Sequence, residues 1–285
     1  MPTDASDLTN GQIAMVAKAR YTYERVAPTI NLFTKMRLEP GEKSKYIPKF
    51  ASGGAAADLT DGVDMTEETA LTITGTTHTT DEAGCKVIIT KKLRNQLKED
   101  AYAAAGKIIG NMMGRKMGTD GVALYSGLNT SLGAASTTLT LGLLSAAIAQ
   151  LEGQSEPVPK PYVFVTHPHA FNAIVDQITT PAASTAAFPS ELSLPLLRDY
   201  WRGTEKLYGV AMFGDGNITA GSATYGALFA PEAFIYLVGW EPETWIEPDA
   251  SLRGWELGIV ADYSMVEEDG TYGRAMLMDA TAPTS

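Results

Sequence analysis

The feature that most constrains this chain is a proline-free stretch from Thr90 to about Leu128. Apolar residues recur in it at spacings of three or four, which predicts one apolar stripe along a single long helix. The predicted stripe comprises Leu93, Leu97, Ala101, Ala104, Ile108 and Met112. Thr90 is predicted to be the N-cap, because its hydroxyl can accept a hydrogen bond from a free amide of the first turn. At 1.5 Å per residue this helix would be about 50 Å long, enough to act as a spine.

Four glycines stand at every fourth position of the same stretch: Gly106, Gly110, Gly114 and Gly118. Each one costs a helix about 1 kcal/mol relative to alanine. Their common face therefore predicts that another backbone passes close to the helix there. A long surface helix that merely tolerates its glycines is the alternative. Lys107 and Arg115 lie in the same stretch and exclude a membrane-spanning helix pair.

The composition is that of an ordinary folded protein, with 45% hydrophobic and 19% charged residues among 285. The first residues, MPTDASDLTNGQ, have neither the basic start nor the apolar core of a signal peptide. The single cysteine, Cys85, excludes an intrachain disulfide and fits a reducing compartment. The net charge of −11, with no basic run beyond Lys91-Lys92, argues against sequence-specific nucleic-acid binding.

The segments before the spine predict a helix and then a long hairpin. Residues 10–27 carry apolar side chains at helical spacing and end at Pro28. The stretch from Met36 to Thr80 contains two strand-like arms, MRLEPGEKSKYIPKF and TALTITGTTHTT, around a glycine- and alanine-rich tip. A hairpin of this length has too little apolar surface to stand alone in water. We therefore expect it either to be mobile in the monomer or to be clamped by a neighbouring molecule.

The segments after the spine predict an α+β fold. Residues 139–154 read as an amphipathic helix, and a strand over Val163 to Val165 leads to a helix that begins near Pro168. Two buried runs are broken by Pro231. A strand, a turn and a further strand follow, and GRAMLMDAT is predicted to be the closing strand.

The search for chemistry finds no established catalytic, cofactor-binding or metal-binding motif. His167 and His169 have no third ligand within reach along the chain, so they are predicted to be helix-start or surface residues. Cys85 lies in an apolar run and is predicted to be a buried, unreactive thiol. The acidic residues near the hairpin tip lack the spacing of a calcium loop. We therefore predict no catalytic residue, no cofactor and no metal.

In the order of its elements, the chain resembles the major capsid proteins of tailed bacteriophages, which have the Hong Kong 97 fold. The resemblance is carried by Met36 to Thr80 as an extended loop, by Cys85 to Leu128 as a strand leading into a spine helix, and by VFVTHPHAFNAIVD as the strand and helix of a compact lobe. It covers nearly the whole chain as architecture, without an invariant motif. The chain is therefore expected to be a structural protein of a phage head and not an enzyme.

The resemblance also implies a division of the chain. The expected parts are 1–35 as an N-terminal arm, 36–80 as the extended loop, 81–156 as a peripheral domain with the spine helix at about 90–128, 157–240 as an axial domain, and 241–285 as a return to the peripheral domain. Residues expected to make inter-subunit contacts are Arg20, Tyr21 and Arg25 in the arm, and Glu42, Lys43, Lys45, Lys49 and Phe50 in the loop.

The expected partners follow from the same resemblance. Copies of the chain would form pentamers and hexamers of an icosahedral shell, assembled in the cytoplasm of a bacterial host and found in the virion. A separate scaffolding protein, a portal and an optional decoration protein would join them. Packaged double-stranded DNA would lie inside without sequence-specific binding, and no membrane is involved. An encapsulin-like nanocompartment shell with the same fold is the alternative, and an α+β enzyme with an unrecognised site is a more distant one.

Overall fold

The computed structural model describes residues 28–50, 58, 61–62, 73–96, 101–179 and 206–283. The predicted helix over 10–27 lies outside these ranges. The helices are α1 (Lys91–Gln96), α2 (Ala101–Ala123), α3 (Leu141–Glu152) and α4 (Pro168–Thr179). The strands are β1 (Thr34–Arg37), β2 (Ser44–Phe50), β3 (Ile73–Thr79), β4 (Asp81–Thr90), β5 (Ser131–Gly133), β6 (Val163–Thr166), β7 (Ala211–Gly214), β8 (Thr224–Phe229), β9 (Phe234–Asp249), β10 (Gly254–Glu267) and β11 (Gly273–Met278). Short 3₁₀ turns span Pro28–Leu32, Leu124–Gly127, Pro231–Ala233 and Gly270–Tyr272.

A four-stranded sheet in the order β1-β9-β10-β4 forms one half of the molecule. Its long antiparallel pair β9–β10 confirms the predicted strand, turn and strand. β1 runs parallel to β9 only as far as Val238, so the outer half of β9 is a sheet edge in the described part of the chain. Pro242 and Pro248 lie on that edge, where a missing amide hydrogen breaks no ladder bond. The helix α2 packs against β4 and β10 and buries a core beneath this sheet.

A five-stranded sheet in the order β5-β11-β8-β6-β7 forms the other half. Side chains of α3 and α4 pack with its strands in a second apolar core. Both helices and β6 were predicted from the spacing of their apolar residues and are confirmed. The N-cap of α3 is Thr140, whose hydroxyl accepts from the amide of Leu143 at 3.1 Å.

The chain after Glu241 contributes to both sheets. β10 belongs to the four-stranded sheet, whereas β11 pairs with β8 and β5 in the five-stranded sheet. The turn at Asp269–Tyr272 redirects the chain away from β10, and the apolar side chains Ala275 and Met276 are then buried. The division of the chain into domains stays a prediction.

An aromatic cluster joins the two halves. It contains Phe33 from the N-terminal side, Tyr125 after α2, Phe229 at the end of β8 and Phe234 at the start of β9. The ring centroids of Phe229 and Phe234 lie 4.9 Å apart in a T-shaped arrangement, and that of Tyr125 lies 5.8 Å from Phe229. Pro231 breaks the strand between Phe229 and Phe234, so that the chain leaves one sheet and enters the other.

The spine helix is confirmed as two described helical segments, α1 and α2. The hydroxyl of Thr90 accepts from the amide of Leu93 at 3.2 Å, as predicted for the N-cap. Residues 97–100 lie outside the described ranges, so continuity between the two segments stays a prediction. The helical end at Ala123, followed by the 3₁₀ turn to Gly127, agrees with the predicted end near Leu128.

The predicted buried stripe of the spine is wrong by one residue. Leu93, Ala104, Ile108 and Met112 are exposed, and the buried apolar positions of α2 are Tyr102, Ala105, Ile109, Met113 and Met117. Ala101 is the one described member of the predicted stripe that is buried, and Leu97 lies outside the described residues. The four glycines do lie on the buried face. What meets Gly118, however, is a side chain and not a backbone, because the amide of Asn217 rests against its Cα. A Cβ at Gly118 would overlap that amide.

We expect Gly118→Ala to lower the free energy of unfolding by about 1–2 kcal/mol, although alanine is the better helix former. The added methyl must displace Asn217, whose Nδ2 donates to the buried Asp215 carboxylate at 2.8 Å. Gly142→Ala in α3 is the matched control, since the nearest atom to its Cβ is Thr140 Oγ1 at 3.9 Å. The control should stabilise the protein by up to about 1 kcal/mol in denaturant titrations. Equal stabilisation by both changes would contradict the packing of Asn217 on α2.

No helix in the described part of the chain is long and apolar enough to cross a membrane.

Candidate inter-subunit surface

The predicted hairpin is present as a separate two-stranded sheet. β2 and β3 pair antiparallel, with registers running from Ser44 opposite Thr79 to Phe50 opposite Ile73. The side chains of β3 are exposed apart from His78, and Tyr46 and Ile73 leave large apolar surfaces in contact with solvent. Two exposed strands with this little burial agree with the sequence expectation that the hairpin lacks its own core.

One apolar contact near the middle of β2 anchors the hairpin to the rest of the subunit. Ile47 is buried against Ile235 and Leu237 of β9, with Met36 and Leu38 at the margin of this small cluster. Ile47 is therefore the point at which β2 adheres to the four-stranded sheet. The exposed side chains around it leave the rest of the hairpin surface free to meet another molecule.

An ion pair anchors the hairpin a second time. Lys49 Nζ lies 2.5 Å from Oδ2 of Asp269, a carboxylate in the turn after β10 whose side chain is 11% exposed. Burial alone would raise the pKa of Asp269, but hydrogen bonds from Lys49 and from the amide and hydroxyl of Thr271 outweigh it and hold the pKa below its ordinary value. The pKa values of the neighbouring carboxyls shift in the opposite direction, because burial raises the pKa of both Glu267 and Glu268.

The predicted contact residues of the loop fall into different environments. Lys49 is engaged within its own chain, and Lys45 Nζ donates to the carbonyl of Arg37 at 3.1 Å. Glu42 accepts from the amide of Glu39 at 3.0 Å. Lys43 is exposed and has no ionic partner among the described residues. Contacts of these residues with another subunit stay a prediction.

The remaining predicted contact residues give less information. Phe50 ends β2 opposite Ile73, and its side chain is not described. Arg20, Tyr21 and Arg25 lie outside the described residues. Whether the arm reaches another subunit is therefore also still a prediction.

The structure adds an acidic groove that the sequence did not reveal. The groove has a volume of about 750 Å³ and lies between the β1–β2 turn and the start of the outer half of β9. Trp240 lines it and is 40% exposed. Its acidic lining residues are Glu39, Glu42, Glu241, Glu243 and Asp262. Glu241 pairs with Lys35 and Arg37, at 3.1 and 3.2 Å.

The histidines and the cysteine occupy structural positions. His167 Nδ1 accepts from the amide of His169 at 3.1 Å and so satisfies a free donor at the start of α4. Burial and the nearby His169 lower the pKa of His167. Burial raises the pKa of the Cys85 thiol, which disfavours the reactive thiolate. In the part of the chain that the structure describes, no three histidine, cysteine or carboxylate side chains form a group that could hold a metal ion.

We expect Lys49→Met to lower the free energy of unfolding at neutral pH by about 1 kcal/mol, since the lysine is partly solvent-exposed. The Asp269 pKa lies below its unfolded value. Its stabilising effect is therefore present above that unfolded pKa and is lost as the pH falls through the folded pKa. The difference between wild type and variant should begin to shrink as the pH falls below about 4, and it should vanish only once the pH lies below the folded pKa of Asp269. Lys43→Met is the control and should change little, and a pH-independent difference would contradict the ion pair.

The chain is similar to known proteins in structure and not in sequence. No family model matches the chain, and no curated protein matches it. The capsid structure of the cyanophage P-SCSP1u superposes with a TM-score of 0.65 at 11% identity, covering 88% of this chain and 87% of that one. The mature capsid of bacteriophage PhiM1 gives a TM-score of 0.65 at 11% identity over 86% and 84% of the two chains.

The capsid of the native GTA particle gives a TM-score of 0.63 at 10% identity, covering 92% of this chain and 91% of that chain. These matches span most of both chains at very low identity, so they report shared architecture and not close kinship. The chain therefore has the α+β fold of phage capsid proteins, the Hong Kong 97 type that its sequence resembles.

Proposed function

We propose that this chain is a major capsid protein, a structural subunit that assembles with its own copies into the icosahedral shell of a tailed bacteriophage. The observation that carries the proposal is the hairpin of β2 and β3. It extends from the four-stranded sheet with one buried apolar anchor, Ile47, and with the large side chains Tyr46 and Ile73 exposed. A surface of this kind gains stability only when another molecule covers it.

The proposed role is structural and needs no catalysis. The subunits would form rings of five and six and close into a shell, together with a separate scaffolding protein, a portal and an optional decoration protein. The net charge of −11 would keep the packaged double-stranded DNA from adhering to the shell. Assembly would take place in the cytoplasm of the bacterial host and leave the protein in the virion.

Size-exclusion chromatography with light scattering tests this function. A single chain has a mass of 30.4 kDa. We expect the purified protein, alone or co-expressed with its scaffolding protein, to elute as particles of many chains. A species with the mass of one or two chains under both conditions would overturn the proposal.

A further inference from the structure

The outward face of α2 carries both apolar and basic side chains. Ile108 and Met112 stand one turn apart on this face and are 50% and 47% exposed. Arg115 continues their line, and Lys107 lies on one side of it. Neither Lys107 nor Arg115 has an ionic partner among the described residues. We call Lys107, Ile108, Met112 and Arg115 the helix face.

The helix face stands out in an acidic protein. From Lys91 to Ala123 the sequence has seven lysine and arginine residues against three aspartate and glutamate residues, whereas the whole chain has a net charge of −11. A positive surface with two large apolar side chains at its centre fits a partner that is negative and also apolar. A row of nucleic-acid phosphates would satisfy the charges but leave Ile108 and Met112 in water. The mixture favours a protein partner.

The acidic groove beside Trp240 has the complementary chemistry. Its indole is an exposed aromatic surface, and aromatic side chains in pockets are frequent anchors of protein interfaces. Glu39 and Glu243 line the groove and are exposed, with no cation paired to either carboxylate among the described residues. Arg37 also lines the groove, but it is paired with Glu241. An apolar centre with an acidic margin therefore faces solvent.

We propose that the helix face of one copy of this chain docks into the Trp240 groove of the next copy. Both surfaces are exposed in the same subunit, because α2 packs against β4 and β10 while the groove lies at the opposite, β1 edge of the sheet. They therefore contact each other only between copies. A contact between two different surface patches repeats head to tail from one copy to the next. It closes into a ring when the rotation that relates neighbouring copies adds up to a full turn. This inference rests on the proposed capsid function and names the contact that would repeat around a ring.

Charge reversal on each side tests the contact. The helix variant carries Lys107→Glu and Arg115→Glu, the groove variant carries Glu39→Lys and Glu243→Lys, and the combined variant carries all four changes. Each single-side variant should raise the critical concentration for assembly by about tenfold or more, because like charges then face each other. The combined variant restores opposite charges and should return to within about threefold of the wild type.

Glu156→Lys, an exposed reversal outside both surfaces, controls for net charge. Circular dichroism and thermal melting establish that each variant is folded before assembly is measured. Assembly of the single-side variants at the wild-type concentration, no rescue in the combined variant, or an equal loss in Glu156→Lys would overturn the proposed contact while leaving the capsid function intact. Failure of the wild type itself to assemble would instead overturn the capsid function.

Discussion

Deleting Ala51 to Gly62 is expected to leave a soluble, folded subunit that no longer builds closed shells. The deleted residues lie in the sequence between β2 and β3, where the tip of the hairpin is predicted. The anchors that hold the hairpin to its own subunit, Ile47 and Lys49, lie on β2 and are retained. The described members of both apolar cores lie outside the deleted segment. The deletion should therefore reduce the reach of the hairpin to a neighbour and spare the fold.

Circular dichroism and light scattering together measure this outcome. The deletion variant should keep the wild-type spectrum and melting temperature but lose the assembled species. A variant with Asp58→Asn and Asp61→Asn keeps the length of the tip and removes two of its charges, so it should still assemble. Closed particles of normal size from the deletion variant would contradict the assignment of the hairpin as an inter-subunit element.

Replacing Phe229 with alanine is expected to have the largest effect of any single substitution on folding, about 3–5 kcal/mol of the free energy of unfolding. Phe229 is fully buried and contacts the rings of Phe33, Tyr125 and Phe234. These side chains come from both sheets and from the segments before and after α2. The cavity left by the lost ring would therefore lie where the two halves of the molecule meet, and little backbone there is free to close it.

Phe213→Ala on β7 is the matched control, because the same ring is removed from a side chain that is 40% exposed. Denaturant titration should find a loss of less than about 1.5 kcal/mol for the control. Similar losses for both variants would contradict the role of the aromatic cluster as the joint between the halves.

The order of the elements could be predicted from the sequence because most of them depend on local signals. Pro231 ended one buried run and began another, and Thr140 and Thr90 capped helices as their chemistry allows. The pairing of the two hairpin arms followed from their strand-like sequences on either side of a glycine- and alanine-rich stretch. These signals lie within a few residues of the structure they determine.

The buried face of α2 was predicted wrongly because two registers fit the apolar spacing. Ile108 is followed by Ile109, and Met112 is followed by Met113, so adjacent apolar pairs offer two stripes about 100° apart. The buried stripe is the one that lies beside the glycines. Gly106, Gly110 and Gly114 are neighbours of the buried Ile109 and Met113 stripe, because the body of the protein comes closest on that side.

The Trp240 groove was missed because its walls are assembled from distant parts of the sequence. Glu39 and Asp262 are both on its lining, yet more than two hundred residues separate them in the chain. No local sequence pattern indicates that residues so far apart in the chain lie next to each other in the fold. Pro242, which marks β9 as an edge strand, was the one sequence signal near Trp240 that indicated an exposed surface. The pairing of β11 with β8 likewise joins residues that are far apart in the sequence, so no local pattern indicates it.

Negative-stain electron microscopy of the purified chain, alone and co-expressed with the proposed scaffolding protein, tests the proposed assembly most directly. We expect closed shells, or the rings of five and six from which such shells are built. Fields of separate monomers or dimers under both conditions would contradict a capsid function for this fold.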